Sequence, residues 1–530
     1  MLFNTKGVKT RQTSTSVTIP APIGGLNGRD PLAQMAATDA YLMDNMFPGT
    51  ATAKSRKGCI KFSSAALAGP VQTLAVWAGA AGDKLLACAG IKIYNVSTGV
   101  ATELKTGLSN ATPVTAMFSN AGVQSLHFAN GQDTPHYFNG TVFANHAITG
   151  TTGSVSTLNF VFSFKERLYW GQKDMLGFYY LPVGAINGAL SYFDLQQVSE
   201  LGGYLVAIAS YSAGEQGDTP EDRMVFITSK GECIVYEGFD PSNPASWGLV
   251  GRYYAAPPIG NRCAFKYGTE LVILTRDGAI PFSEIRRTGD AKARGNADAP
   301  YSAITSKLGR FLSLLNANAG VAGWMGQQYI SDEDGWLIIN APATASLSGA
   351  YYQFVMNTKT NAWCRYTNWN CMSMAVFGNR LYFGRYDGYV MLADEGRNDD
   401  TAKITFDVKT AYNYFEDGNG LGLLQKHFQW ASMLISCDGT PPLDGKFNVD
   451  YKEDPPEYIN VLANQFGAEW DVATWDTAEW GDDGRTQRFI ITLNKGGFAG
   501  ALWIRASLSG LKFEWYATQY VMEKTRGLLI

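Results

Sequence analysis

The sequence predicts an all-β chain, and three observations carry that expectation. The composition is 46% hydrophobic and 13% aromatic but only 17% charged, with the β-branched and aromatic residues that fit half-buried strands. Short strand–turn–strand segments recur through the middle of the chain. Beyond Asp400 the hydrophobic pattern alternates with period two, as in strands with one buried face.

In chain order, residues 1–65 stand outside the repeat. A polar, threonine-rich arm from Met1 to Ile19 lacks the apolar stretch of a signal peptide. It leads into GGLNGRDPLAQMAATDAYLMDNMFPG (Gly24–Gly49). There Thr38 can cap a short helix, predicted over Asp39–Asn45 and stopped by Pro48.

Residues 66–400 hold seven hairpin-like segments, beginning with KLLACAGIKIYNV (Lys84–Val96) and ending with NRLYFGRYDGYVMLADEG (Asn379–Gly396). The turns SKG, RDG and YDG supply glycines suited to tight hairpins. The strand anchors are Leu85, Leu126, Leu168, Val225, Val272, Leu337 and Leu381. They recur at intervals of about 40 to 65 residues, and a four-stranded propeller blade takes about 40–50. Six of the seven segments have a further strand just upstream, such as Val71–Ala78 and Asn261–Gly268. Longer intervals read as inserted loops, as at Gly214–Asp222 and Arg286–Ala299. The expected architecture is a β-propeller of six to eight blades; two stacked β-sandwiches with evenly spaced strands are the alternative.

Residues 401–530 form a second β unit, a sandwich or barrel built with the N-terminal segment. Its strands are expected over Ile404–Phe415, His427–Cys437, Lys446–Lys452, Arg488–Asn494, Ala501–Leu508 and Lys512–Glu523. Between them Trp470, Trp475 and Trp480 recur every fifth residue. That interval suits neither helix nor strand and reads as a loop whose indoles fill pockets of this chain or a neighbour.

Chemistry is sparse in the sequence. A formal charge of −4 argues against a surface that grips phosphate backbones throughout. The seven cysteines lack any C-x-x-C pair and read as reduced core residues, not as disulfides or a zinc site. No stretch reaches the length of a membrane helix. Nucleophile-elbow, zinc-protease, P-loop and dinucleotide motifs are missing. The four histidines, His127, His136, His146 and His427, read as packed or surface residues. SDEDGW (Ser331–Trp336) and DGNG (Asp417–Gly420) read as turns, because an Asp-box spacing and a downstream calcium-loop glutamate are missing. No catalytic, metal or cofactor residue is expected. RRTGDAKAR carries Arg286, Arg287, Lys292 and Arg294, a loop that could face DNA or an acidic partner.

Three stretches resemble one family. Gly24–Asn27, Arg29–Pro31, Asp44–Pro48 and Arg56–Gly58 follow the N-terminal pattern of tail nozzle proteins of short-tailed bacteriophages, also called DNA-stabilisation proteins. Tyr351–Asn370 with Leu381–Asp400 is a second match, and the Trp-Asp loop with Glu514–Leu529 is a third. The spacing Gly49–Ala53 departs from the pattern. The resemblance implies a propeller protein of the virion, assembled in the host cytoplasm as a hexameric ring below the portal and adaptor. DNA would pass through the lumen without sequence-specific binding, and a tail fibre or tailspike is a further expected partner. Gly24, Gly25, Leu26, Asn27, Arg29, Asp30, Pro31 and the three tryptophans are the expected assembly contacts. The rival expectation is a propeller appendage that binds or cleaves glycans, with carboxylates converging at the axis.

Overall fold

The computed structural model describes residues 14–80, 82–120, 122–213, 221–287, 303–331, 333–342, 351–416, 422, 424–458 and 486–524. The chain is all-β and divides into two compact units. One comprises Lys57–Thr358 and Tyr366–Asp400; the other comprises Met1–Arg56, Lys359–Arg365 and Thr401–Ile530.

The first unit is a succession of small antiparallel sheets, built mainly from strands that follow one another in sequence. Val71–Trp77 opens a four-stranded sheet that runs outward to Thr102–Thr106. The next three begin at Val114–Asn120, Leu158–Phe164 and Leu205–Ala213 and also have four strands. Ala264–Tyr267 opens a sheet of three, and Met325–Ile330 pairs with Gly335–Pro342, which pairs with Tyr351–Asn357. Cys371–Phe377 begins the last sheet. The glycines of SKG, RDG and YDG (Gly231, Gly278, Gly388) all have positive φ, which lets these hairpins turn within so few residues.

Strands that open the sheets share one property: Thr73, Thr115, Phe162, Ser210, Lys266, Gly326 and Ser373 line a single cavity of about 380 Å³. The sheets therefore radiate from a common axis in a propeller-like array. Apolar layers fill the spaces between neighbours. Trp77 and Leu86 of the first sheet pack with Leu126 and Phe138 of the second. Phe178 of the third packs with Phe226 and Tyr236 of the fourth. Val71 and Leu85 of the first also pack with Ala375, Tyr382 and Val390 of the last, so the array closes on itself. Each large apolar side chain so buried contributes roughly 1.5–3 kcal/mol.

Closure is also covalently remote and hydrogen-bonded. Cys59–Lys61, which the sequence placed with the N-terminal segment, pairs antiparallel with Val390–Ala393 as the outer strand of the last sheet. Ile60 faces Leu392 in that register.

The second unit has two groups of strands. In one, Phe513–Lys524 lies between Lys426–Cys437 and Ser14–Pro20, with Thr486–Gly497 beyond Lys426–Cys437. In the other, Asp39–Asp44, Ile404–Thr410, Gly500–Leu508 and Leu443–Val449 follow in order. Ring contacts join the two faces: Phe406 to Phe513 at 4.9 Å and Phe428 to Phe447 at 4.8 Å.

The expected helix over Asp39–Asn45 is instead the strand Asp39–Asp44. Its Ala40 and Met43 are fully buried and it pairs with Ile404–Thr410, Met43 opposite Val408. Tertiary pairing overrides a local capping signal that had no long-range partner to support it.

Candidate functional site

Residues that are far apart in sequence meet in the terminal unit, and they are largely those of the family pattern. Gly25 has φ +78° and packs on the backbone of Trp363: a Cβ there would lie 2.5 Å from the Trp363 carbonyl oxygen. Only glycine combines that conformation with that approach. Asn27 is fully buried. Its Nδ2 donates to Asp30 Oδ2 at 2.8 Å and Asp39 Oδ2 at 2.7 Å, and its Oδ1 accepts from the backbone N–H groups of Arg29 and Asp30. Arg365 clamps Asp44 with two bonds of 2.7 and 2.6 Å. Asn45 accepts from Arg56 Nε at 2.8 Å and donates to the Thr405 carbonyl at 2.7 Å.

The expected contacts therefore separate into two kinds. Gly25 and Asn27 are interior, Gly24, Leu26 and Asp30 are half-buried, and Arg29 and Pro31 are exposed. Arg29 pairs with neighbouring Asp30 at 2.7 Å. Asn27→Ala is expected to cost about 2–3 kcal/mol, since it strands two carboxylates and two backbone donors. Arg29→Ala is expected to stay within about 0.5 kcal/mol. Urea unfolding of the two variants checks the contrast. Trp470, Trp475 and Trp480 lie outside the described residues.

The basic stretch begins as a helix, Phe282–Arg287, and not as the loop expected there. Arg287 bonds Glu284 at 2.6 Å, and Arg286 lies over the Tyr211 ring at 5.4 Å. Phe282 and Ile285 are buried and hold this turn against the sheet. Lys292 and Arg294 lie outside the described residues.

The axial cavity holds a group that sequence reasoning missed. Arg262, just before Ala264–Tyr267, reaches across to the first two sheets. Its Nη1 donates to the Gln72 carbonyl at 3.1 Å; its Nη2 donates to Thr73 Oγ1 at 2.5 Å and the Pro113 carbonyl at 2.8 Å. Burial pulls the guanidinium below its ordinary range. Among the described residues the lining of the cavity includes no carboxylate, and that of the adjoining space includes only Asp174. Among the described residues no group of three or more histidine, cysteine or acidic side chains could hold a metal. All seven cysteines are buried thiols outside any disulfide.

A second missed cluster lies between the second and third sheets. Ser125 Oγ meets His127 Nε2 at 2.8 Å, His127 Nδ1 meets His146 Nε2 at 2.9 Å, and His146 Nδ1 meets the Ile186 carbonyl at 2.7 Å. His146 also stacks edge-on against Trp170. Nineteen residues separate the two histidines, an interval that signals nothing until the hairpin brings them together.

No family model and no curated protein matches the sequence. Solved structures similar to this chain include the computationally designed Ika8 protein, at 11% identity over 64% of this chain and 99% of that one, with a TM-score of 0.33. BBS1N in complex with ARL6DN, soaked with mercury, is similar at 12% identity over 65% of this chain and 99% of that one, with a TM-score of 0.38. The lead-soaked form of that complex gives 11% identity, 64% and 98% coverage, and the same TM-score. Likeness at this level carries no argument, and the fold rests on strand pairing and on the shared axial cavity.

Proposed function

We propose that the chain is a structural subunit of the tail of a short-tailed bacteriophage. It acts as a nozzle protein whose hexameric ring continues the DNA channel below the portal and adaptor. The radiating sheets are seven propeller blades, and the two facing strand groups of the terminal unit are a flanking sandwich. The ring retains the packaged genome and releases it on ejection, with no sequence-specific contact to DNA.

One observation supports this reading above the others. Residues carrying the family resemblance, scattered from Gly25 to Arg365, are mutual partners in one unit: Gly25 with Trp363, Asp44 with Arg365, Asn45 with Arg56. A shared three-dimensional framework explains why such a pattern would recur, whereas chance similarity has no reason to converge in space. The exposed turn around Arg29 and Pro31 is then the outward face of the framework. It supplies one side of a heterologous contact that closes by rotation.

The reading is tested with Arg29→Glu combined with Pro31→Ser. Native mass spectrometry is expected to show ring assembly weakened by about tenfold or more, with monomer stability within about 0.5 kcal/mol of the parent. Rings that form as readily as those of the parent would remove this turn from the interface.

A further inference from the structure

We propose that the axial channel of the sheet array binds a small phosphate-bearing anion. The cavity of about 380 Å³ and a mouth of about 640 Å³ share Asn261 and Arg262 in their walls, so both spaces border Arg262. Volumes of this size suit small ligands.

Cations outnumber anions along this path. Among the described residues, Arg262 and Lys266 line the cavity, and Lys173, Arg276 and Arg262 line the mouth, against one carboxylate, that of Asp174. Like charges along a low-dielectric wall focus the field and raise the local concentration of the opposite ion. The whole chain carries −4, so this concentration of cations is local and opposes the net charge.

Arg262 gives the site its depth. Its three bonds go to two backbone carbonyls and one hydroxyl. These neutral oxygens fix the planar fork without compensating its charge. A half-buried cation held this way is unfavourable until an anion arrives. Thr115 and Ser210 line the same cavity, and their hydroxyls can donate to further oxygens of a tetrahedral group; Ser373, also in the wall, donates to the Val71 carbonyl at 2.9 Å. An oxyanion with several charges and many acceptors matches cations spread from mouth to cavity better than a single carboxylate does.

Calorimetric titration of the full chain with pyrophosphate, with citrate as the carboxylate comparison, tests the site. Saturable binding of one pyrophosphate per chain is expected, weakened about tenfold or more in Arg262→Gln. Arg262 also ties three sheets together, so Lys266→Gln, at an exposed position, is the second variant. It is expected to weaken binding about threefold with an unchanged melting temperature. Lys92→Gln, whose ammonium pairs with Glu103 on an outer strand, is expected to bind as the parent does. Absence of saturable binding, unaltered binding by folded Arg262→Gln, or an equal loss in Lys92→Gln would overturn the site. Citrate binding as tightly as pyrophosphate would overturn its assignment to phosphate.

Discussion

Gly58→Ala is expected to lower unfolding stability by about 3 kcal/mol or more, and Gly58→Val to prevent stable folding. A Cβ on Gly58 would run into the backbone carbonyl of Asn398, and backbone cannot swing aside as the end of a side chain can. The surrounding chain is also fixed. Gly58 N–H donates to the Gly396 carbonyl at 3.0 Å, and Glu395 N–H donates to the Gly58 carbonyl at 3.2 Å. Cys59 N–H donates to the Asn398 carbonyl at 3.1 Å, and Asp400 N–H to the Cys59 carbonyl at 2.6 Å. Any shift that relieves the clash pulls Cys59–Lys61 from Val390–Ala393. That exposes an unpaired strand edge and loosens the apolar layer between the last and first sheets. Gly248→Ala, where a Cβ meets nothing within 4 Å, is expected to stay within about 0.5 kcal/mol and serves as the control. Denaturant unfolding measures both.

Acid is expected to destabilise the second and third sheets from just below neutrality. His146 Nδ1 faces a carbonyl and must carry the proton, so its Nε2 accepts from His127 Nδ1–H, and His127 Nε2 accepts from Ser125. Both rings are neutral: a proton on His146 Nε2 would face His127 Nδ1–H, and a proton on His127 Nε2 would turn the Ser125 hydroxyl from donor into acceptor beside a buried charge. Burial, with the neighbouring His146 adding to it, pushes His127 down to about 2. Burial pushes His146 down to about 4, against the Ile186 carbonyl that favours the charged form. His136 is also lowered, by burial and by Lys105, with Asp133 opposing.

The unfolded rings take up protons near pH 6.5, where the folded ones refuse them. The stability is thus fully present above that value. It falls as pH drops from about 6.5 to about 4 for His146, and further toward about 2 for His127. At pH 5 each of the two is expected to cost about 2 kcal/mol. His146→Gln keeps a donor and an acceptor without titrating, and is expected to remove about half of the loss attributable to this pair. Unfolding midpoints at pH 7.5 and pH 5 measure it; equal pH dependence in parent and variant would contradict the assignment.

The parts of the fold legible in the sequence were those with local signals. Period-two alternation located Gly500–Leu508 and Phe513–Lys524 within a residue, because one face of each strand is buried. Hairpin turns with Gly231 and Gly278 announced themselves through glycine at a positive-φ position. Features set by distant partners were not legible. Asp39–Asp44 reads as helix until Ile404–Thr410 is placed beside it. Cys59–Lys61 looks like linker until its partner more than three hundred residues later closes the last sheet.

Site residues followed the same division. Asn27 and Gly25 were noticed as a pattern, yet their interior role appears only once Asp39 and Trp363 are in place. Arg262 sits in an unremarkable NRCAFKYG strand segment, and nothing local says that its side chain crosses the axis. Its importance comes from what surrounds it.

We propose that this chain builds a ring around a DNA channel. Native mass spectrometry with negative-stain electron microscopy, on the full chain mixed with the adaptor that this proposal implies, tests it most directly. Closed rings of six copies bound to the adaptor are expected. A monodisperse monomer that ignores the adaptor at micromolar concentration would contradict it.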